Sequence, residues 1–135
     1  MSNEQYALID RSSVPSKDEW QNAIDETGFD FQLHNDLKPF EASGYLPCTL
    51  NGKEAGFQIF YEDAPEELKD ISQGKDYCIT FSWGGSMVEC ASAMIASYAL
   101  AKKFNAIVSY AGDEPEDLES FFENTKGCIE DAANE

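Results

Sequence analysis

Residues 86–101 read SMVECASAMIASYALA, and this stretch decides the fold. Ser86 and Glu89 have the spacing of a capping box, in which a serine side chain accepts a hydrogen bond from a backbone amide at a helix start. The residues that follow are small or apolar around the whole circumference of the helix. A helix of this kind is predicted to be central and largely buried.

The segments on either side of this helix predict further strands and helices. A strand is predicted before it, over residues 77–83, and a short strand after it, over residues 106–110. Pro115 is predicted to occupy the first turn of a final helix. The apolar residues expected to share one face of that helix are Leu118, Phe121, Phe122 and Ile129.

The first half of the chain carries four more local patterns. A second capping box at Ser16 and Glu19 predicts a helix near residues 16–27, which Gly28 can end. Alternation of apolar and polar residues predicts a strand over 29–34, with Phe29, Phe31 and Leu33 on one face. A hairpin is predicted from strands 45–50 and 55–61 around Asn51-Gly52. Pro47 suggests that the first of these strands lies at the edge of the sheet. A short acidic helix is predicted over residues 64–71.

These elements predict an α+β protein, with a mainly antiparallel sheet of about four to five strands and helices packed on one face. A chain of 135 residues has the size of one domain, so residues 1–135 are interpreted as a single domain. We allow for a loosely ordered N-terminal segment over residues 1–13.

The charge is the largest departure from an average domain. The chain has 26 acidic side chains and 9 Lys or Arg, which gives a net charge of −17, while 42% hydrophobic residues supply a core. Such a charge repels nucleic-acid phosphates and anionic membranes, and it attracts a cationic partner. Residues 1–5 lack the features of a signal peptide, so a cytoplasmic protein is expected.

The residue types of common catalytic and metal sites are sparse. The only histidine, His34, has no neighbouring nucleophile and is interpreted as a surface residue. Ser86 is interpreted as a helix cap rather than as a nucleophile. The four cysteines, Cys48, Cys78, Cys90 and Cys128, are scattered singly, which disfavours a zinc site or a disulfide framework. We therefore predict no catalytic, cofactor-binding or metal-binding residues.

Two acidic clusters are the candidate partner-binding residues. The first comprises Glu62, Asp63, Glu66, Glu67 and Asp70, and the second comprises Asp113, Glu114, Glu116, Asp117 and Glu119. Negative charge at a helix start explains part of each cluster, but not so large a global excess. Neither cluster follows the ligand order of a calcium-binding EF-hand loop. We expect these carboxylates to meet a basic protein.

The stretch from Asp76 to Gly112, with Trp83-Gly84-Gly85, Glu89 and Leu100-Ala101-Lys102, resembles small bacterial proteins, several of which are similar to acidic immunity proteins. Immunity proteins neutralise toxin domains delivered between competing bacteria. The resemblance implies a cytosolic inhibitor that clamps a basic toxin domain through carboxylates and a few aromatic anchors. It assigns no individual inhibitory residue, and the oligomeric state stays open.

Three alternatives remain open at this point. A type III secretion chaperone is also small, acidic and α+β, although here the longest helix lies between the last two strands, which departs from the usual order. A hydrolase would use Ser86, Glu89 or His34. An acidic surface could also imitate the phosphate spacing of DNA.

Overall fold

The computed structural model describes residues 2–135, and within this range the chain forms six strands and four α-helices. In chain order these are β1 (Asn3–Ile9), α1 (Lys17–Glu26), β2 (Phe31–Gln32), β3 (Ser43–Leu50), β4 (Lys53–Asp63), α2 (Lys69–Ser72), β5 (Tyr77–Trp83), α3 (Met87–Phe104), β6 (Ile107–Tyr110) and α4 (Leu118–Ala133). Short 3₁₀ turns occupy Arg11–Ser13 and Glu66–Leu68. No helix within residues 2–135 combines the length and the apolar character that a bilayer crossing requires.

The strands form one antiparallel sheet in the order β2-β3-β4-β5-β1-β6. The predicted α+β class with an antiparallel sheet is therefore confirmed. The expected number of four to five strands is too low by at least one, because the described residues form six. The additional strand is β1, which no local pattern predicted.

Strand β1 corrects the expectation of a loosely ordered segment over residues 1–13. It lies inside the sheet, paired with β5 on one side and with β6 on the other, and its residues 7–9 are fully buried. Arg11 then fixes the chain after the strand: its amide donates to the Asp76 carboxylate at 2.8 Å. Its guanidinium also lies 4.7 Å and 4.8 Å from the ring centroids of Phe40 and Tyr77, within cation–π range.

The predicted hairpin is present, and both of its strands are longer than expected. Asn51 and Gly52 have φ angles of 53° and 80°, the left-handed conformation that a tight two-residue turn requires. Strand β3 lies between β4 and β2, but β2 pairs only with Leu50 and Thr49. At Pro47 the outer side of β3 therefore pairs with no other strand. The missing amide proton of proline costs no hydrogen bond of the sheet there.

The strand expected over residues 29–34 is reduced to the two residues of β2. The side chain of Gln21, from α1, replaces the rest of its pairing: it donates to the carbonyl oxygen of Phe31 at 2.8 Å and accepts from the amide of Leu33 at 2.8 Å. Phe31 and Leu33 are buried as predicted, whereas Phe29 is half-buried and stacks on Phe122 of α4.

Helices α1 and α4 pack against α3, and all three lie on one face of the sheet. The indole of Trp20 in α1 donates to the carbonyl of Ala96 at 3.0 Å, and Gln5 of β1 donates to Ser97 at 2.6 Å. The ring of Tyr98 lies 5.3 Å from the ring of Phe121 in α4. The predicted central, buried position of α3 is confirmed, since most of its residues from 91 to 100 are buried.

The short helical segment that ends in α2 lies on the opposite face of the sheet. Its Leu68 packs with Leu8 and Cys78 in a second, smaller apolar cluster, separate from the main core. The expectation that helices pack on one face therefore holds for α1, α3 and α4 only.

Helix α4 begins at Leu118, three residues later than Pro115 predicted. The carboxylate of Asp117 accepts from the amide of Ser120 at 2.8 Å and caps the helix. Leu118 is 41% exposed and is not part of the buried face, whereas Phe121 is buried.

Alanine substitutions at two glycines are predicted to change the free energy of unfolding in opposite directions. At Gly56, with φ of +144°, a Cβ would lie 2.5 Å from the carbonyl oxygen of Leu46, so Gly56→Ala should lower the free energy of unfolding by about 1–3 kcal/mol. At Gly127, inside α4, no atom lies within 4 Å of the added Cβ. Gly127→Ala should raise the free energy of unfolding by about 0.5–1 kcal/mol, because alanine loses less backbone entropy in a helix.

Urea unfolding followed by circular dichroism measures both changes. Equal stability of Gly56→Ala and the parent protein would contradict the close approach of β3 to β4 at this position.

Candidate functional site

The first acidic cluster lies where β4 ends and the chain turns towards α2. Glu62, Asp63 and Glu67 line a groove together with Glu4 of β1. The groove lies on the face of the sheet opposite α1, α3 and α4. We call this the acidic groove. Burial and the nearby carboxylates of Glu4, Glu62 and Glu67 raise the pKa of Tyr6, as expected where negative charge converges. Glu66 and Asp70 are exposed and lie outside the lining of the groove.

The second acidic cluster lies mainly on the connection between β6 and α4, residues 111–117, which we call the acidic loop. The loop is held in place by its backbone: the amide of Ala111 donates to the carbonyl of Glu4 at 2.9 Å, and the Ser109 hydroxyl donates to the carbonyl of Asp113 at 2.6 Å. Ala111 and Gly112 have φ angles of 56° and 88°, which produce the sharp bend.

The acidic loop brings part of the second cluster next to the first. Ala111 and Gly112 line the acidic groove, while Asp113, Glu114 and Glu116 line a separate cleft. Asp117 caps α4, and Glu119 lies in the first turn of that helix outside both linings. Six of the ten candidate carboxylates therefore line one of the two depressions, three in each, and four line neither.

The cleft beside the acidic loop has a volume of about 500 Å³ and a largely apolar lining. We call it the apolar cleft. It lies between the ends of β1 and β5, the start of α3, strand β6 and the start of α4. Its main apolar side chains are Trp83, Met87, Met94, Val108, Tyr110 and Phe121.

The cleft is lined by one exposed aromatic residue, Tyr110, and one buried aromatic residue, Trp83. Tyr110 is 46% exposed, and its ring centroid lies 6.2 Å from that of Trp83. The Tyr110 hydroxyl donates to the Asn3 side chain at 2.7 Å, which fixes the ring at the edge of the sheet. Sequence reasoning missed these residues as a site. Met87 and Met94 are seven residues apart and share a helix face, but in a helix that is apolar all round this spacing does not stand out.

The start of α3 is capped by the chain itself. The Ser86 hydroxyl accepts from the amide of Glu89 at 3.3 Å, as the predicted cap requires. The other half of the predicted capping box, a hydrogen bond from the Ser86 amide to the Glu89 side chain, does not form. The carboxylate of Glu135 instead accepts from the amides of Met87 at 2.9 Å and Val88 at 3.3 Å. An anion from the chain therefore satisfies this helix N-terminus.

The residues of a hydrolase mechanism are not brought together. Ser86 lines the apolar cleft, whereas His34 lines a different depression beside β3, where its Nδ1 accepts from the amide of Asp36 at 3.0 Å. No group of three or more His, Cys, Asp or Glu side chains in the described part of the chain is arranged to hold a metal ion.

The geometry therefore offers an apolar cleft and an acidic groove, joined by the acidic loop. No family model, curated protein or solved structure matches this chain. A function is accordingly argued from this surface.

The cap formed by Glu135 predicts a pH-dependent contribution to stability. Hydrogen bonds from the amide of Met87, and then from Val88 and Ser86, lower the pKa of the Glu135 carboxyl. A lowered pKa in the folded state stabilises the protein above the ordinary glutamate pKa, and this stabilisation is lost as the pH falls through the lowered pKa. Glu135→Gln should therefore destabilise the protein at pH near 7 and have little effect in acid.

Urea unfolding of both proteins across the acid range measures this difference. Glu130→Gln, which removes an exposed charge from the last turns of α4, is the control. An equal effect of Glu135→Gln at neutral and acid pH would contradict the cap.

Proposed function

We propose that this protein is a protein-binding inhibitor, an immunity protein that neutralises a basic toxin domain by covering it with an acidic surface. The observation that carries the proposal is the acidic loop, which places three carboxylates of the second cluster on the apolar cleft and borders the groove lined by three carboxylates of the first. Such a combination suits a protein partner, because interfaces combine apolar anchors with a charged surround.

The candidate carboxylates form no ion pair within the described residues, although Glu116 accepts from the Asn124 side chain and Asp117 caps α4. Ion pairs among residues 2–135 join Lys17 to Asp18, Lys75 to Asp10, Lys103 to Glu26 and Lys126 to Glu123, and none of them uses a carboxylate of either cluster. The lysine and arginine side chains of a partner could therefore form charge-assisted hydrogen bonds there without first breaking an internal pair. The net charge of −17 would also accelerate the encounter.

The apolar cleft supplies the second part of the interface. Its two methionines, Met87 and Met94, have flexible side chains that adapt to the shape of an inserted group. Tyr110, which is exposed beside the buried Trp83, offers a ring face on which the stem and charge of an arginine can rest. An arginine or an aromatic residue of the toxin domain would fill the cleft, and Asp113, Glu114 and Glu116 would meet its neighbouring positive charges.

A secretion-chaperone role is the second candidate. Strand β6 is at the edge of the sheet beside the apolar cleft, so its free side could pair with an extended segment of another protein. Binding to an unfolded effector segment, rather than to a folded basic domain, would favour this alternative.

Three charge-neutralising triple variants test the immunity proposal. The first is Asp113→Asn with Glu114→Gln and Glu116→Gln at the apolar cleft, and the second is Glu62→Gln with Asp63→Asn and Glu67→Gln at the acidic groove. The control is Asp30→Asn with Asp36→Asn and Glu54→Gln, three exposed carboxylates near β2 and the β3–β4 hairpin, at the other end of the sheet. All three variants change the net charge by the same amount.

Calorimetric titration against candidate basic toxin domains measures the effect. Each of the first two variants should weaken binding at least about tenfold, a loss of about 1.4 kcal/mol, and the control by less than about threefold. Raising NaCl from about 50 mM to about 500 mM should weaken binding of the parent protein. Affinity insensitive to salt, or a control variant as weak as the others, would contradict the proposal.

A further inference from the structure

Two of the four cysteines lie in contact although they are distant in sequence. The Sγ atoms of Cys90 in α3 and Cys128 in α4 are 3.7 Å apart, and both thiols are free. A disulfide requires about 2.0 Å between the two sulfur atoms. Side-chain rotation and a small adjustment of two packed helices can close this gap.

The pair is also accessible to reagents. Cys90 lines the apolar cleft, and both cysteines are half-buried rather than enclosed in the core. Cys48 and Cys78 differ from this pair, because each is buried and neither has a cysteine partner.

The contact divides the two thiols into a nucleophile and a proton donor. A hydrogen bond from the Cys90 thiol lowers the pKa of Cys128 to about 7, against the opposing effect of burial. The same hydrogen bond, followed by burial, raises the pKa of Cys90. The lowered pKa favours the thiolate form of Cys128, which is the form that attacks disulfides. Burial raises the pKa of Cys48 to about 12 and that of Cys78 to about 11.

We propose that Cys90 and Cys128 form a redox-active dithiol site, which a low-molecular-weight disulfide of the glutathione class oxidises to an intramolecular disulfide. This proposal stands on the two cysteines alone and does not depend on the proposed toxin partner.

The reaction is a pair of thiol–disulfide exchanges. The Cys128 thiolate attacks one sulfur of the small disulfide, so that a mixed disulfide forms and one small thiolate leaves. Cys90 then loses its proton, which the departed thiolate accepts, and its sulfur attacks the sulfur of Cys128. The second small thiolate leaves as the Cys90–Cys128 bond forms. Two protein thiols are oxidised and one small disulfide is reduced to two thiols.

Oxidation would change the candidate interface. The disulfide joins α3 to α4 and closes a loop from residue 90 to residue 128, which contains β6 and the whole acidic loop. It also removes the Cys90 thiol from the lining of the apolar cleft. The position of the acidic loop relative to α3 would then be fixed covalently.

The first test treats the full chain, folded and reduced, with oxidised glutathione at neutral pH. Intact-mass spectrometry should show loss of two hydrogen atoms, peptide mapping should find Cys90 linked to Cys128, and dithiothreitol should reverse the change. Cys48 and Cys78 should remain free. A wild-type protein that accumulates only mixed disulfides, forms linked dimers, or reacts at Cys48 or Cys78 at the same rate would overturn the proposal.

Single serine variants separate the two roles. Cys90→Ser should stop at a mixed disulfide on Cys128, because the resolving thiol is absent. Cys128→Ser should react at least about tenfold more slowly, because the remaining thiol lacks the lowered pKa. Cys48→Ser is the matched control and should still form the Cys90–Cys128 bond at the parent rate. Circular dichroism establishes that each variant is folded before its reaction is compared.

A second measurement uses phenylarsine oxide, which bridges two thiols only when they lie close together. It should bind the parent protein and Cys48→Ser in a one-to-one ratio and should bind neither Cys90→Ser nor Cys128→Ser with comparable affinity. Binding retained in both of these variants would overturn the proposal even if their redox kinetics were altered.

Discussion

Helix α3 lies against the sheet through alanine and serine side chains, and β1, α1 and α4 all depend on that close approach. Small residues at 91, 93, 96 and 99 leave room for the sheet below and for the helices on either side, and all four are buried. The Trp20 indole and the Gln5 amide each reach a partner on α3, the Ala96 carbonyl and the Ser97 hydroxyl. Larger side chains there would separate the layers and leave buried polar groups without partners.

This packing determines where the candidate site lies. Because α3 crosses the sheet next to β1, its first turns meet the ends of β1 and β5 and the start of α4, and the apolar cleft lies between them. The connection from β6 to α4 must pass over the same corner. The acidic loop is therefore held beside the cleft by hydrogen bonds of its backbone to β1 and β6, while Asp117 caps α4 and Glu116 accepts from the Asn124 side chain.

Local patterns in the sequence predicted α1, the β3–β4 hairpin, β5 and α3, because a cap, a turn or an apolar period marks each of them. Strand β1 was missed because only its last three residues, 7–9, form an apolar run, and its pairing partners lie about 70 to 100 residues away. The candidate carboxylates could be named from the sequence, but not their arrangement around residues 111–117. The apolar cleft was also missed, because its lining comes from five elements that only the fold brings together: β1, β5, α3, β6 and α4.

The central claim is that a basic domain docks over the acidic loop and the depressions on either side of it. Amide hydrogen exchange of the protein, alone and saturated with a basic toxin domain that it binds, tests this claim most directly. The account predicts slower exchange on binding in residues 109–117 and 62–68, and at the start of α3. Slower exchange confined to β2 and the β3–β4 hairpin, with residues 109–117 unchanged, would contradict it.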